Sequence, residues 1–145
     1  MAKYTAYESL LRVDTTGSGA YVDIAQVRDI SGPSMSADAV EVTARDTNKW
    51  RTFTPGLRDG GEVTFDLIYD PNLASHSASD TTTGLVYFLL NGVAKTFRLV
   101  MSQSGGDYFQ FSGIVTAFTP ESPLEDAMTA SCTIKISGVV SFTAV

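Results

Sequence analysis

A chain that does covalent chemistry must bring a nucleophile, a base and an orienting group together. This sequence offers one histidine and one cysteine to start from. His76 lies in the polar connection Asn72–Asp80, and no spacing around it supplies the nucleophile and acid of a triad. It reads as a solvated loop histidine, and one such titratable group is too little to found an enzyme on. Cys132 falls on the apolar side of an alternating segment, where a free thiol packs as a small hydrophobe. Asp59-Gly60-Gly61-Glu62 lacks the alternating oxygen ligands and distal Glu of a calcium loop. Its glycines also lack the spacing and the Lys-Ser/Thr of a phosphate loop, so they read as a turn into the next strand. No catalytic residue, metal site or cofactor is expected.

A second group of residues suits contact rather than catalysis. The sixteen residues from Asp46 to Gly61 hold the only tryptophan and five charges. Compact domains rarely carry so long a connection without a use for it. Its notable members are Asn48, Trp50, Arg51, Phe53, Pro55, Leu57, Arg58 and Asp59. Trp50 and Phe53 either fold back on their own domain as a satellite cluster or anchor in a neighbour's pocket. Trp, Tyr and Arg dominate interface energies, which favours the anchor.

The elements that position these residues are mostly strands. Glu8–Val13 and Tyr21–Ile30 are short strands around an Asp14–Ala20 turn, with Val22 and Ile24 facing inward. Ala39–Arg45 puts Val40, Val42 and Ala44 opposite Glu41, Thr43 and Arg45. Glu62–Asp70 puts Val63, Phe65, Leu67 and Tyr69 opposite Glu62, Thr64, Asp66 and Ile68. Tyr108–Phe118 puts Phe109, Phe111 and Val115 opposite Gln110, Ser112 and Thr116. Met128–Ser137 puts Met128, Ala130, Cys132, Ile134 and Ile136 opposite Thr129, Ser131, Thr133 and Lys135. A sheet with one buried and one wet face explains all four. The wet face is rich in Thr, Ser and Gln. Glu41, Arg45, Glu62, Asp66 and Lys135 give it three acids against two bases, a weakly acidic face like a surface that should not stick to anything. Thr81–Asn91 reads as a helix capped by Asp80 or Thr81 and ended by Gly92, or Leu85–Leu90 reads as a buried strand. Ala94–Met101 is a further strand, Ser102–Asp107 a hairpin turn and Pro120–Asp126 a loop.

The totals agree with a single β-rich domain. The 145 residues suffice for one core. Charged residues make up 18%, below the ~25% usual for soluble domains, so partners are expected to cover much of the surface. The formal charge of −6 disfavours non-specific binding to nucleic acid. One cysteine excludes an internal disulfide framework. Met1-Ala2-Lys3-Tyr4-Thr5 does not look like a signal peptide, and no apolar run approaches a membrane span. A chain made in a cytoplasm without a membrane anchor is expected.

Ile30 to Asp38, Val40 to Thr43, Trp50 to Val63, then Phe65 to Pro71 and His76 together resemble the major tail tube proteins of long-tailed bacteriophages. The most specific run is Pro55-Gly56-Leu57-Arg58-Asp59-Gly60-Gly61-Glu62, and the quoted motif covers about a third of the chain. The resemblance implies the tail tube fold, a β-sandwich or partial barrel with one flanking helix and a long inter-strand arm. It implies hexameric rings stacked into a tube in the virion tail, assembled in the host cytoplasm. Its implied partners are further copies of itself, a tape measure protein, a tail terminator and baseplate or tip proteins, with DNA in transit. Four one-faced strands from each of six subunits would close a barrel about 48 Å across, roughly 38 Å inside its side chains. On that reading Glu41, Thr43, Arg45, Glu62, Thr64, Asp66, Gln110, Ser112, Thr129, Ser131, Thr133 and Lys135 face the lumen. The arm 46–61 bridges subunits. Two other readings stand beside it: a monomeric carbohydrate-binding or adhesin module using Trp50, Phe53 and Tyr108, and a tube subunit of a contractile tail or secretion system.

Overall fold

The computed structural model describes residues 9–17, 19–45, 49–101 and 106–144. Its strands are β1 (Leu10–Asp14), β2 (Tyr21–Asp23), β3 (Val27–Ser31), β4 (Ser36–Glu41), β5 (Phe53–Asp59), β6 (Glu62–Ile68), β7 (Ala94–Val100), β8 (Tyr108–Glu121) and β9 (Thr129–Thr143). A 3-10 turn at Ala74–His76 and helix α1 (Leu85–Asn91) separate β6 from β7.

Seven strands form one sheet in the order β2-β1-β7-β8-β9-β6-β3, antiparallel at every pairing, while β4 and β5 form a separate two-stranded sheet. The two edges of the large sheet, β2 and β3, are separated in the chain only by residues 24–26. Three residues span about 10 Å, so the sheet must curl until its edges nearly meet. This makes it a partial barrel whose concave face is the core.

Period-2 alternation puts Val63, Phe65 and Leu67 inside, opposite Ile134, Cys132 and Ala130 of β9. Leu11, Val13, Phe97, Leu99, Phe111 and Val115 complete the layer, and Leu85 and Phe88 of α1 plug its open side. Phe97 and Phe111 stack with centroids 6.1 Å apart.

The helix is real but shorter than the pattern predicts. Asp80 does not cap it. Its carboxylate accepts from the Thr82 and Thr83 N–H groups and the Thr82 hydroxyl in a preceding turn, and these bonds hold it below the usual carboxylate range. Gly84 precedes the helix, and Gly92, at φ 62°, ends it in the left-handed region that favours glycine.

Tyr21–Ile30 is not one strand. It breaks at residues 24–26 and serves both sheet edges, so Ile24 is buried but Val22 is exposed. Ser102–Gly105 of the expected hairpin turn lie outside the described residues; the flanking β7–β8 pairing is antiparallel, with Val100 opposite Tyr108.

His76 is fully buried, against the expectation of a solvated loop residue. Its Nδ1 accepts from the Asp70 N–H at 3.1 Å and its Nε2 faces the Ala25 carbonyl at 2.7 Å. The ring therefore carries its proton on Nε2 and ties the crossing between the sheet edges to the end of β6. A polar sequence neighbourhood hid this, because those neighbours turn outward while the ring satisfies two backbone groups within.

Candidate interaction surfaces

The convex face of β3, β6, β9 and β8 is built by the same alternation that fills the core. Register aligns its side chains in rows. Glu62 lies opposite Lys135, which lies opposite Ile114; Ser31, Thr64, Thr133 and Ala117 form a second row; Asp66, Ser131 and Thr119 form a third. The Ser131 hydroxyl donates to Asp66 Oδ1 at 2.8 Å, and Thr116 Oγ1 to the Thr133 carbonyl at 3.4 Å. Lys135 Nζ donates to Asp59 Oδ1 at 3.3 Å rather than to Glu62. Its charge is thus met by the last residue of β5, and the Gly61 N–H together with Lys135 holds Asp59 below its usual pKa.

Gln110 and Ser112 lie on the same outward side of β8 but nearer its start. Gln110 Oε1 accepts from Arg98 Nε at 3.0 Å. The Arg98 guanidinium lies over Tyr21 at 3.8 Å and over Tyr108 at 4.4 Å. Arg12, opposite Arg98 in the register, is met by Asp23.

Glu41, Thr43 and Arg45 do not join this face. Of the strand that the sequence reads at Ala39–Arg45, only residues 39–41 are strand, the end of β4, which pairs only with β5, and Thr43 and Arg45 lie beyond it. Alternation shows only that one side of a strand would be apolar, not where the strand ends or which surface covers it. Every β4 residue is exposed. Thr43 Oγ1 donates to Glu41 and accepts from the Thr52 N–H, so both residues are used within the hairpin.

Residues 49–61 are likewise more than a bare connection. Phe53–Asp59 is a strand, with Glu41 opposite Phe53 and Ala39 opposite Pro55. Asp46–Asn48, including Asn48 of the expected arm, lie outside the described residues. The hairpin packs on no other element to a comparable extent. Its apolar side chains are exposed on both faces: Val40 and Val42 on one, Phe53 on the other, with Trp50 77% and Leu57 83% exposed.

The arm is anchored at its root. Ile136 N–H donates to the Gly61 carbonyl and Ser34 N–H to the Glu62 carbonyl. Gly60 is buried where a Cβ would strike Ile136 and Val140, and Gly61 has a φ of 75° where a Cβ would strike the Ser34 carbonyl. These close approaches explain why two glycines are needed here. Beside the root is a cleft of about 680 Å³ lined by Met35, Ser36, Ala37, Arg58, Asp59, Gly60, Ile136, Gly138, Val139 and Val140. No sequence signal marked it, because β9 and the arm root meet only in the fold.

Among the described residues no three His, Cys, Asp or Glu side chains gather to hold a metal ion. Burial pushes the Cys132 thiol up to about 12. No helix among the described residues is long and apolar enough to cross a membrane.

A family model described as lambda phage tail tube protein matches residues 5–143. No curated protein matches the chain. Among solved structures, a chain from the tail of an empty gene transfer agent particle, refined with C6 symmetry, superposes with a TM-score of 0.77 at 21% identity, covering 99% of this chain and 100% of that one. The SPP1 tail tube gives 0.70 at 11% identity, covering 99% and 80%. A chain of the sheath–tube complex of an extracellular contractile injection system gives 0.69 at 16% identity, covering 99% and 93%.

Proposed function

We propose a mode of assembly for this chain, which belongs to the lambda phage tail tube protein family and is a structural subunit of a virion tail tube. Six copies form a ring, rings stack, and the convex face of β3, β6, β9 and β8 lines the channel. The observation that carries this reading is that face itself: four contiguous strands whose convex side is mostly hydroxyls and charges, with β6, β8 and β9 burying the other side and β3 half-burying Val27 and Ile30. β3 takes the fourth place that the sequence reading gave to Ala39–Arg45. Four strands from each of six subunits still make 24, and the barrel remains about 48 Å across its backbone. The outer edge of β3 pairs with no strand among the described residues, and closure into a common barrel would cover it.

The lumen role falls on Glu62, Thr64, Asp66, Thr129, Ser131, Thr133 and Lys135, with Ser112 and Gln110 toward one end. Arg28, Asp29, Thr116, Thr119 and Glu121 join them by position. Glu41, Thr43 and Arg45 belong to the arm instead. Binding DNA tightly requires cations that release its counterions. Here hydroxyls and acids prevail over Arg28 and Lys135, and Lys135 is already engaged by Asp59, so DNA passes without a strong site. The subunit performs no catalytic step. A tape measure protein, a tail terminator and baseplate or tip proteins are its further partners, and assembly takes place in the host cytoplasm. The arm bridges subunits.

Negative-stain electron microscopy of concentrated protein, with size-exclusion chromatography beside it, tests the reading. Tubes or rings with a hole of roughly 40 Å are expected. A monomer that stays monomeric at every concentration and binds a glycan saturably would support the binding-module reading instead. The structure separates Trp50 and Phe53, on the arm side, from Tyr108, on the large sheet beneath Arg98.

A further inference from the structure

Helix α1 ends on Asn91, and Gly92 follows it. This is the one place in the sequence where an asparagine precedes a glycine; Asn48 precedes Lys49 and Asn72 precedes Leu73. A glycine nitrogen has no neighbouring Cβ to shield it, so the side-chain amide before it can react with the backbone. Both residues are exposed, and a Cβ built on Gly92 would meet nothing within 4 Å, so water reaches the pair. The fold nonetheless holds the reacting atoms apart. A helical side chain points back over the preceding turn, and Asn91 Nδ2 donates to the Tyr87 carbonyl at 3.1 Å. The Gly92 N–H donates to the Phe88 carbonyl. The amide carbon is drawn toward one end of the helix while the backbone nitrogen lies toward the other, and each group has its own hydrogen bond.

We propose that Asn91 is a site of spontaneous deamidation, gated by opening of the last turn of α1. When that turn opens, both hydrogen bonds break and the Gly92 nitrogen attacks Asn91 Cγ. A new C–N bond closes a cyclic imide. The side-chain nitrogen takes up the proton that Gly92 loses and leaves as ammonia. Water then opens the ring. Cleavage at Cγ gives aspartate, and cleavage at the main-chain carbonyl gives isoaspartate, in which the backbone runs through the former side chain. The steps need no oxidant, reductant or cofactor. Either product puts a carboxylate among the C-terminal carbonyls of α1, where negative charge is unfavourable, and removes the donor that met Tyr87. The consequence falls on the body. Leu85 and Phe88 of α1 are buried in its core, so the modified chain holds this plug less firmly. The inference does not depend on the tube reading.

Ageing the protein folded and unfolded tests this directly. Wild-type protein is incubated at neutral pH in buffer and in guanidinium chloride, then digested. Mass spectrometry follows conversion of amide to acid at each asparagine, and fragmentation separates aspartate from isoaspartate. In the unfolded chain Asn91 is expected to react ahead of Asn48 and Asn72. In the folded chain Asn91 is expected to react at least about tenfold more slowly, because only the opened turn reacts. Guanidinium below the unfolding transition is expected to narrow that gap. Asn91→Asp installs one product, and its α1 amides are expected to exchange hydrogen faster than those of wild-type protein. Unfolded protein in which Asn91 reacts no faster than Asn72 would overturn the site. Equal rates in folded and unfolded protein would overturn the gating, and an Asn91→Asp helix that exchanges like wild type would overturn the loosening of the plug.

Discussion

The body and the arm obey the same alternation and reach opposite ends. In β6 the apolar side chains Val63, Phe65 and Leu67 are buried to 2% exposure or less, whereas in β4 Val40 is 48% exposed. The difference lies in what each strand meets. β6 has β9 and β3 beside it and the rest of the curled sheet across from it. β4 has only β5. A two-stranded hairpin is marginal in water by itself, so this arm takes its order from its root and from whatever covers its faces. The body therefore has a core of its own to which the hairpin contributes no buried side chain.

The largest expected effect contrasts two phenylalanines. Phe97→Ala empties a fully buried site and should cost about 3–5 kcal/mol in urea unfolding. Phe53→Ala should change unfolding by no more than ~0.5 kcal/mol yet sharply reduce tube formation in sedimentation. Equal losses of stability at the two sites would show that the arm is part of the core.

Next comes the joint between the regions. Gly61→Ala forces a left-handed backbone and a clash with the Ser34 carbonyl, with an expected cost of about 1–3 kcal/mol. Because the strain sits at the arm root, assembly should fall further than stability does. A variant of wild-type stability and assembly would mean that the root is not rigid.

The smallest effect is electrostatic. The Gly61 N–H and Lys135 lower the pKa of Asp59 from 3.8. A lowered folded-state pKa adds stability above the unfolded value, and that contribution fades as pH falls through the folded value. The stabilities of wild-type protein and Asp59→Asn should therefore run parallel above pH about 5 and draw slightly together below pH about 4. The pair is largely exposed, so salt should shrink the difference. Curves that diverge at neutral pH would contradict this assignment.

Much of the body was legible in the sequence. Period 2 located β6, β8 and β9 and their buried faces, because a one-residue slip would have put every polar group inside. Cys132 was placed in the core for the same reason. What failed were features that depend on distant partners. Ala39–Arg45 has the same period as β6, but nothing local says that its apolar face lacks a cover. The Tyr21–Ile30 pattern runs on across a break that exists because a curled sheet needs the chain to cross between its edges. His76 looked exposed because its two acceptor and donor partners, Asp70 and Ala25, are backbone groups without a side-chain signature. The polar face could be drawn from three strands, but its fourth member, β3, was hidden by a register shift opposite β6. The cleft was out of reach altogether.

The central claim is that the body folds alone and the arm joins copies. The most direct measurement is sedimentation with electron microscopy of a variant lacking residues 48–58, run beside wild-type protein. The deletion removes most of β5, which contributes little to the core, so the variant should elute as a folded monomer and form no tubes while wild-type protein does. Tubes of normal diameter from the deletion variant would contradict the account.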